Sequence, residues 1–145
     1  ILNTKMTVFG EQAAMVLHLS GNWGAIAKLE ALLPGLERKF ELSSLSKRTP
    51  PAQNKDSSLL YQAHIVALDK SGILDGLLDF FMEQNISIQD ISAHTHASTT
   101  GTQMVTINIQ VNILPDMHVS SIREQFLTHC DNLNLDASFD IAEVR

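Results

Sequence analysis

The turn between a predicted strand and a predicted helix at residues 68–74 carries the strongest candidate chemistry. It reads Leu68-Asp69-Lys70-Ser71-Gly72-Ile73-Leu74. Gly72 has no Cβ, so a ligand can approach the backbone there, and the N–H groups at a helix start attract a carboxylate. Asp69 can receive an ammonium group. The turn therefore suits a free amino acid, while the structural alternative is that Asp69 or Ser71 only caps the helix.

Ser87 begins the next predicted strand and is the second part of this candidate site. We expect it to lie near the turn if the ligand sits where the edges of sheet and helix meet.

Two further groups of residues resemble reactive sites but lack the partners such sites need. His94 and His96 lie two apart on a predicted strand and can face the same way, but no third metal ligand is evident. His129 and Cys130 are neighbours on a predicted helix, where their side chains diverge by about 100°. We therefore expect no metal site, no cofactor and no enzymatic activity.

The second half of the chain shows the alternation typical of an antiparallel sheet. From Val105 to Ile113 the odd positions are apolar and the even positions polar, and residues 135–141 repeat the pattern. Residues 86–95 form a predicted strand whose apolar phase shifts between Ile88 and Ile91, which indicates a bulge.

A fourth strand, residues 59–68, and two amphipathic helices complete this half. The helices carry apolar residues at helical spacing: Ile73, Leu77, Phe80 and Phe81 in one, and Val119, Ile122, Phe126 and Cys130 in the other. The order β-α-β-β-α-β predicts a ferredoxin-like α+β unit over residues 59–145, with both helices on one face of the sheet.

Residues 1–45 predict a shorter version of the same unit, β-β-α-β. The strands are residues 1–8 and 13–20, Asn22 caps a helix that Pro34-Gly35 ends, and residues 37–45 form the last strand. We expect Ile26, Leu29 and Leu33 to be buried. Since the order lacks an opening strand and helix, and Ile1 is not an initiator methionine, we expect those elements to precede this chain in the full protein.

Composition limits the classes of function. Residues 46–58 contain adjacent prolines and almost no apolar residues, so they predict a linker. A net charge of −6, without a cluster of basic residues, argues against direct binding to nucleic acid. No apolar run approaches membrane-spanning length, and one cysteine cannot form an intrachain disulfide. We expect a cytoplasmic protein whose weakly charged surface is compatible with a homodimer or another protein partner.

The turn Asp69-Lys70-Ser71-Gly72-Ile73-Leu74, with Phe81–Ile88 after it, resembles the strand-to-helix signature of ACT domains. These are βαββαβ units that sense amino acids. The family's turn commonly carries Arg-Pro-Gly where this chain has Lys70-Ser71-Gly72. The resemblance implies ligand contacts at Asp69, Ser71, Gly72 and Ile73, and at Ser87 on the next strand.

A second resemblance lies in the first unit, in Val8-Phe9-Gly10-Glu11, Leu19-Ser20-Gly21-Asn22-Trp23, Ala25-Ile26, Leu29-Glu30 and Leu33-Pro34. With the tandem units, it is similar to the glycine cleavage system transcriptional repressor family. The resemblance implies a regulator that responds to glycine and binds a transcriptional activator protein rather than DNA.

Two alternatives remain. A structural ACT module without a ligand site fits the same pattern, because the turn lacks the family's proline. An RNA-binding module shares the βαββαβ order, but such modules stack bases on exposed aromatic residues of the central strands. Here only Tyr61 is available on the candidate strands.

Overall fold

The computed structural model describes residues 1–50 and 57–143 of the chain. The chain divides into two units, Ile1–Ala52 and Gln53–Arg145. The first contains β1 (Asn3–Phe9), β2 (Gln12–His18) and α1 (Trp23–Phe40). The second contains β3 (Leu59–Leu68), α2 (Ile73–Glu83), β4 (Ser87–Ala97), β5 (Gln103–Ile113), α3 (Val119–Asn132) and β6 (Asp136–Ile141).

The second unit has the predicted βαββαβ arrangement. Its four-stranded sheet has the order β4-β5-β3-β6. Neighbouring strands are antiparallel, so β3 and β4, which flank β5, run in the same direction. The register shifts between Ile88 and Asp90, which confirms the bulge that the apolar phase predicts. The ferredoxin-like fold of this unit is therefore confirmed.

Aromatic rings fill the space between this sheet and its two helices. Phe81, Phe126 and Phe139 are almost fully buried. The ring centroid of Phe126 lies 5.2 Å from that of Phe81 and 5.5 Å from that of Phe139. Tyr61 of β3 is also buried, and its ring stacks on Phe139 at 5.5 Å. This cluster fixes the helices on one face of the sheet.

Both helices of the second unit end in the same way. Asn85 and Asn134 have left-handed backbone conformations, with φ of 54° and 57°. After each of them, an apolar residue donates its N–H group back to the last turn of the helix, Ile86 to the carbonyl of Phe81 and Leu135 to that of Cys130, both at 2.9 Å. This Schellman arrangement satisfies carbonyls that the helix leaves free and turns the chain into the next strand.

The first unit is a hairpin followed by one helix. β1 and β2 pair in antiparallel register, and Gly10, with φ of 58°, allows the tight turn between them. Asn22 caps α1 as predicted, since its side-chain oxygen accepts the N–H of Ala25 at 2.8 Å. None of the described residues of β1, β2 or α1 is fully buried. The predicted burial of Ile26, Leu29 and Leu33 is therefore wrong: these side chains are only partly covered.

The structure also corrects the end of the first unit. α1 continues through Pro34 to Phe40. Glu41 then adopts a left-handed conformation, and the carboxylate of Glu37 accepts hydrogen bonds from the N–H and Oγ of Ser44 at 2.6 and 2.8 Å. These contacts lower the pKa of Glu37 below its ordinary value. The helix is closed there rather than at Pro34.

Consequently the predicted strand at residues 37–45 does not form. In a ferredoxin-like sheet the closing strand pairs with the opening strand, as β6 pairs with β3 here. The first unit, as described, has two strands and offers no such partner. Its observed order is therefore β-β-α.

Only part of the predicted linker, residues 46–58, is described. Residues 51–56 lie outside the described part of the chain. Within the described part, Arg48 donates two hydrogen bonds to the carboxylate of Glu30 on α1, at 2.7 and 2.9 Å. This ion pair therefore holds the beginning of the predicted linker against α1.

Candidate functional site

The candidate turn leaves the central strand β3 and enters α2. The N–H of Asp69 donates to the carbonyl of Gln103 at 3.0 Å, which places the turn at the end of the sheet where β5 begins. Gly72 has φ of 83° and precedes the first residue of α2, so a left-handed residue sits at the helix start. A side chain is strained in this conformation, which explains the glycine.

No side chain caps α2. Gly72 occupies the N-cap position, and neither Asp69 nor Ser71 accepts a hydrogen bond from an N–H group of the first turn. Both side chains are exposed, as is Lys70. The structure therefore does not show the alternative in which Asp69 or Ser71 merely caps the helix, because the start of α2 has no side-chain capping hydrogen bond.

The turn thus presents charges of both signs beside a helix start. Asp69 offers a carboxylate for an ammonium group, while Lys70 and the helix N-terminus attract a carboxylate. Asp75, in the first turn of α2, opposes that attraction. A Cβ added to Gly72 would meet no atom within 4 Å, so the turn is open on that side. A ligand here would need a second wall to be enclosed.

Ser87 lies far from this turn within its own unit. It pairs with Asn112 of β5, which pairs with Leu60 near the start of β3. Asp69 follows the other end of β3, nine positions beyond Leu60, so the two residues are about 30 Å apart at 3.3 Å per residue. The expectation that Ser87 lies near the turn is therefore wrong. The turn brings together Asp69, Ser71, Gly72 and Ile73 only.

The order of the predicted elements already indicates that Asp69 and Ser87 lie far apart. In a strand–helix–strand crossover the chain leaves the first strand at one end of the sheet and enters the second strand at the opposite end. The predicted order β-α-β already implied that Asp69 and Ser87 occupy opposite ends.

The remaining candidates do not form a reactive site. His94 and His96 are exposed on β4 with nearly parallel rings 6.0 Å apart. His129 Nε2 bonds to the carbonyl of Gly76 at 3.0 Å, which joins α3 to α2. Burial raises the pKa of the Cys130 thiol to about 12, so it is protonated at neutral pH. Among described residues, no three His, Cys, Asp or Glu side chains are grouped to hold a metal ion.

Tyr61 does not serve as a platform for bases. Its ring points into the core, where it is 6% exposed and stacked on Phe139. The alternate positions of β3 and β5, which face away from the helices, carry no Phe, Tyr or Trp, and their one ring is that of His64. The central strands of the described sheet therefore lack the exposed Phe, Tyr or Trp rings on which RNA-recognition modules stack bases. Within the described residues, no helix has the length and apolar character needed to cross a membrane.

Comparisons with known proteins show what this chain is similar to. No protein-family profile matches the chain. Over 142 residues the chain is 20% identical to the glycine cleavage system transcriptional repressor of Escherichia coli (strain K12), covering 97% of this chain and 75% of that protein. The repressor of Shigella flexneri matches with the same identity and coverage.

Solved structures agree on the fold. A crystal structure described as that of a glycine cleavage system transcriptional repressor superposes with a TM-score of 0.79 at 20% identity, covering 99% of this chain and 81% of that one. A protein from Galdieria sulphuraria gives 0.71 at 15% identity, with 99% and 82% covered. An ACT domain protein from Streptococcus pneumoniae gives 0.50 at 22% identity, with 59% and 91% covered. The chain therefore has the α+β fold of ACT domains, and it is similar over nearly its whole length to a glycine cleavage system transcriptional repressor.

Proposed function

We propose that this chain is an amino-acid-responsive regulatory protein without enzymatic activity, and that glycine is its effector. The observation that carries the proposal is the uncapped start of α2, where Asp69 and Ser71 are exposed instead of being used as caps. Similarity to the bacterial repressor over 97% of the chain supports the same function.

The chemistry of the turn fits a small zwitterion. An α-amino acid carries an ammonium group and a carboxylate group on the same carbon, and the turn offers Asp69 beside Lys70 and the helix N–H groups. Glycine adds no side chain, so a shallow open turn needs no pocket for one. Asp75 weakens the attraction for the carboxylate, which favours a modest affinity.

We further propose that the regulator acts by contacting a transcriptional activator protein in the cytoplasm. The net charge of −6 disfavours contact with DNA phosphates. Mixing the chain with operator DNA alone should give no gel shift, whereas adding the activator should give a ternary or altered complex. A salt-sensitive shift with DNA alone would contradict this part.

Calorimetric titration of the chain with glycine tests the ligand. Asp69→Asn should weaken glycine binding at least tenfold, because it removes the charge that receives the ammonium group. Asp79→Asn, an exposed acidic position on α2, changes the net charge equally and should leave binding unaltered. Absence of heat with glycine, serine and alanine would refute a ligand at this turn.

A structural interaction module without a ligand is the second candidate. It is favoured by the open space around Gly72, which leaves the turn without a second wall. Under this alternative the activator still binds, and its affinity is unchanged by 10 mM glycine. The sensor instead requires that glycine change that affinity, so one competition assay separates the two.

A further inference from the structure

Two histidines near the end of β4 are exposed and lie beside each other. His94 and His96 have ring centroids 6.0 Å apart and ring planes 10° apart. Neither imidazole makes a hydrogen bond within the described part of the chain. His64 on β3 differs, because its Nδ1 lies 2.7 Å from the Oδ1 of Asn108. The ring nitrogens of His94 and His96 are therefore free to bind a ligand from solvent.

The pairing of β4 with β5 places a methionine beside these two histidines. His96 pairs with Met104, and His94 pairs with Thr106. Paired residues of antiparallel strands project from the same face, with Cβ atoms about 4.5–5.5 Å apart. Because His94 and His96 are two positions apart, they also share that face. Two imidazoles and one thioether thus lie together, and the sequence does not reveal the third group because it does not show this register.

The three side chains lie on the face of the sheet opposite α2 and α3. Val105, the neighbour of Met104, is 7% exposed and belongs to the core between sheet and helices. Met104 therefore projects from the other side of β5, where it is partly buried. Since β4 is an edge strand, the rings of His94 and His96 can rotate without moving the core.

The distance between the two rings is suitable for one shared metal ion. An imidazole nitrogen binds a metal such as zinc at about 2.0–2.1 Å and lies about 1.1 Å from its ring centroid, so two rings on one ion have centroids at most about 6.4 Å apart. The observed 6.0 Å is within this limit. Rotation of each ring about its side-chain bonds is enough to direct one nitrogen of each toward a common point.

We propose that His94, His96 and Met104 form a binding site for a monovalent copper ion. Thioether ligands select Cu(I) over harder cations, and imidazole is also a copper ligand. Cu(I) tolerates a low coordination number, so two imidazoles and one thioether are sufficient. Zinc favours four ligands drawn from thiolate, imidazole and carboxylate groups. Among the described residues, no Cys, Asp or Glu joins these histidines to make such a set.

Two properties of the second unit favour a cation at this site. Residues 57–143 contain eleven acidic and two basic residues, so the potential around the unit attracts positive ions. Cys130 would be a stronger soft ligand than a thioether, but it is fully buried. Burial raises the pKa of its thiol to about 12, so no thiolate competes for the copper ion while this unit is folded.

Anaerobic titration of the full chain with Cu(I), in competition with the chelator bicinchoninate, tests the site. His96→Gln and Met104→Leu should each raise the dissociation constant for Cu(I) at least tenfold, since each removes one ligand atom. Met104→Leu keeps most of the apolar volume. His118→Gln and Met82→Leu are the matched controls, because they remove an exposed histidine and an exposed methionine elsewhere and should change the constant less than twofold.

X-ray absorption at the copper edge gives an independent outcome, which is two nitrogen atoms and one sulfur atom as nearest neighbours of the ion. His94→Gln repeats the titration if circular dichroism shows that His96→Gln does not fold. Three results would overturn the proposal: Cu(I) binding that survives replacement of both histidines, Met104→Leu binding as tightly as the original chain, or copper without a sulfur neighbour. These measurements contain no glycine, so they are separate from the proposed amino-acid ligand.

Discussion

Replacing Phe126 by alanine should be among the most destabilising single changes in the second unit. The side chain is fully buried on α3 and its ring lies within 5.5 Å of three other phenylalanine rings, those of Phe80, Phe81 and Phe139. A buried Phe→Ala substitution costs about 3–5 kcal/mol. Each lost aromatic pair adds about 0.5–1.5 kcal/mol, although such terms are not additive. We therefore expect a loss of about 4–5 kcal/mol.

Such a loss approaches the whole stability of a small domain, about 5–15 kcal/mol. Phe126→Leu is the measurable companion, because it keeps most of the volume and removes only the ring contacts. It should cost about 1–2 kcal/mol, which lowers a urea midpoint by about 1 M at a slope of about 1.5 kcal/mol/M. The sole tyrosine, Tyr61, stacks on Phe139 and provides a near-ultraviolet signal for this unit.

Met82→Ala is the matched control on α2. It also truncates a large apolar side chain, but Met82 is 67% exposed, so the change should stay within about 0.5 kcal/mol. If Phe126→Ala cost no more than Met82→Ala, or if Phe126→Leu left the midpoint unaltered, the aromatic cluster could not be the element that holds the helices on the sheet.

Two further predictions concern the ends of the helices and the single thiol. Asn85→Gly and Asn134→Gly should each stabilise the chain by about 0.5 kcal/mol in urea denaturation, and Asn85→Ala should destabilise it by about 1 kcal/mol, because their left-handed backbone suits glycine best; equal effects of Gly and Ala would contradict this. Cys130 should not react with a thiol reagent at pH 8 while the chain is folded. Its pKa is about 12 in the folded protein, against an ordinary value of 9.0, so its contribution to stability is complete below pH 9 and is lost as the pH rises toward 12. Cys130→Ala should remove this loss of stability between pH 9 and 12. If the free energy of unfolding of the variant fell with pH as it does in the original chain, Cys130 would not be the group responsible.

The second unit could be predicted closely because its local and long-range signals agree. The alternation along β5 follows from one face being buried, and the shift between Ile88 and Ile91 marks the bulge directly. The start of α2 was harder to predict. Asp69 and Ser71 are common capping residues, yet neither caps α2, since the left-handed Gly72 occupies the cap position itself. A sequence motif does not show which of these three nearby residues takes the cap position.

The first unit was predicted less well because local signals there compete. Pro34-Gly35 is a common helix end, but the chain has good helix formers on both sides and closes the helix at Glu41. The residue pattern of 37–45 is compatible with a strand. A strand must also pair with a neighbouring strand, and a local sequence pattern does not show whether such a partner exists. The separation of Ser87 from Asp69 follows from the topology. Recognising it required the order of the strands, because the residue types alone do not show it.

The central place of β3 has a consequence for how the protein is made. Tyr61 pairs with Val111 on one side and with Ile141 on the other. A chain growing on the ribosome therefore cannot complete this sheet until its last strand has emerged, 80 residues after the first strand appeared. Until then β3 presents an unpaired edge, which is the state in which strands join the wrong neighbour. Tags or truncations that delay or remove β6 should for this reason lower the yield of folded protein more than equal changes near residue 1.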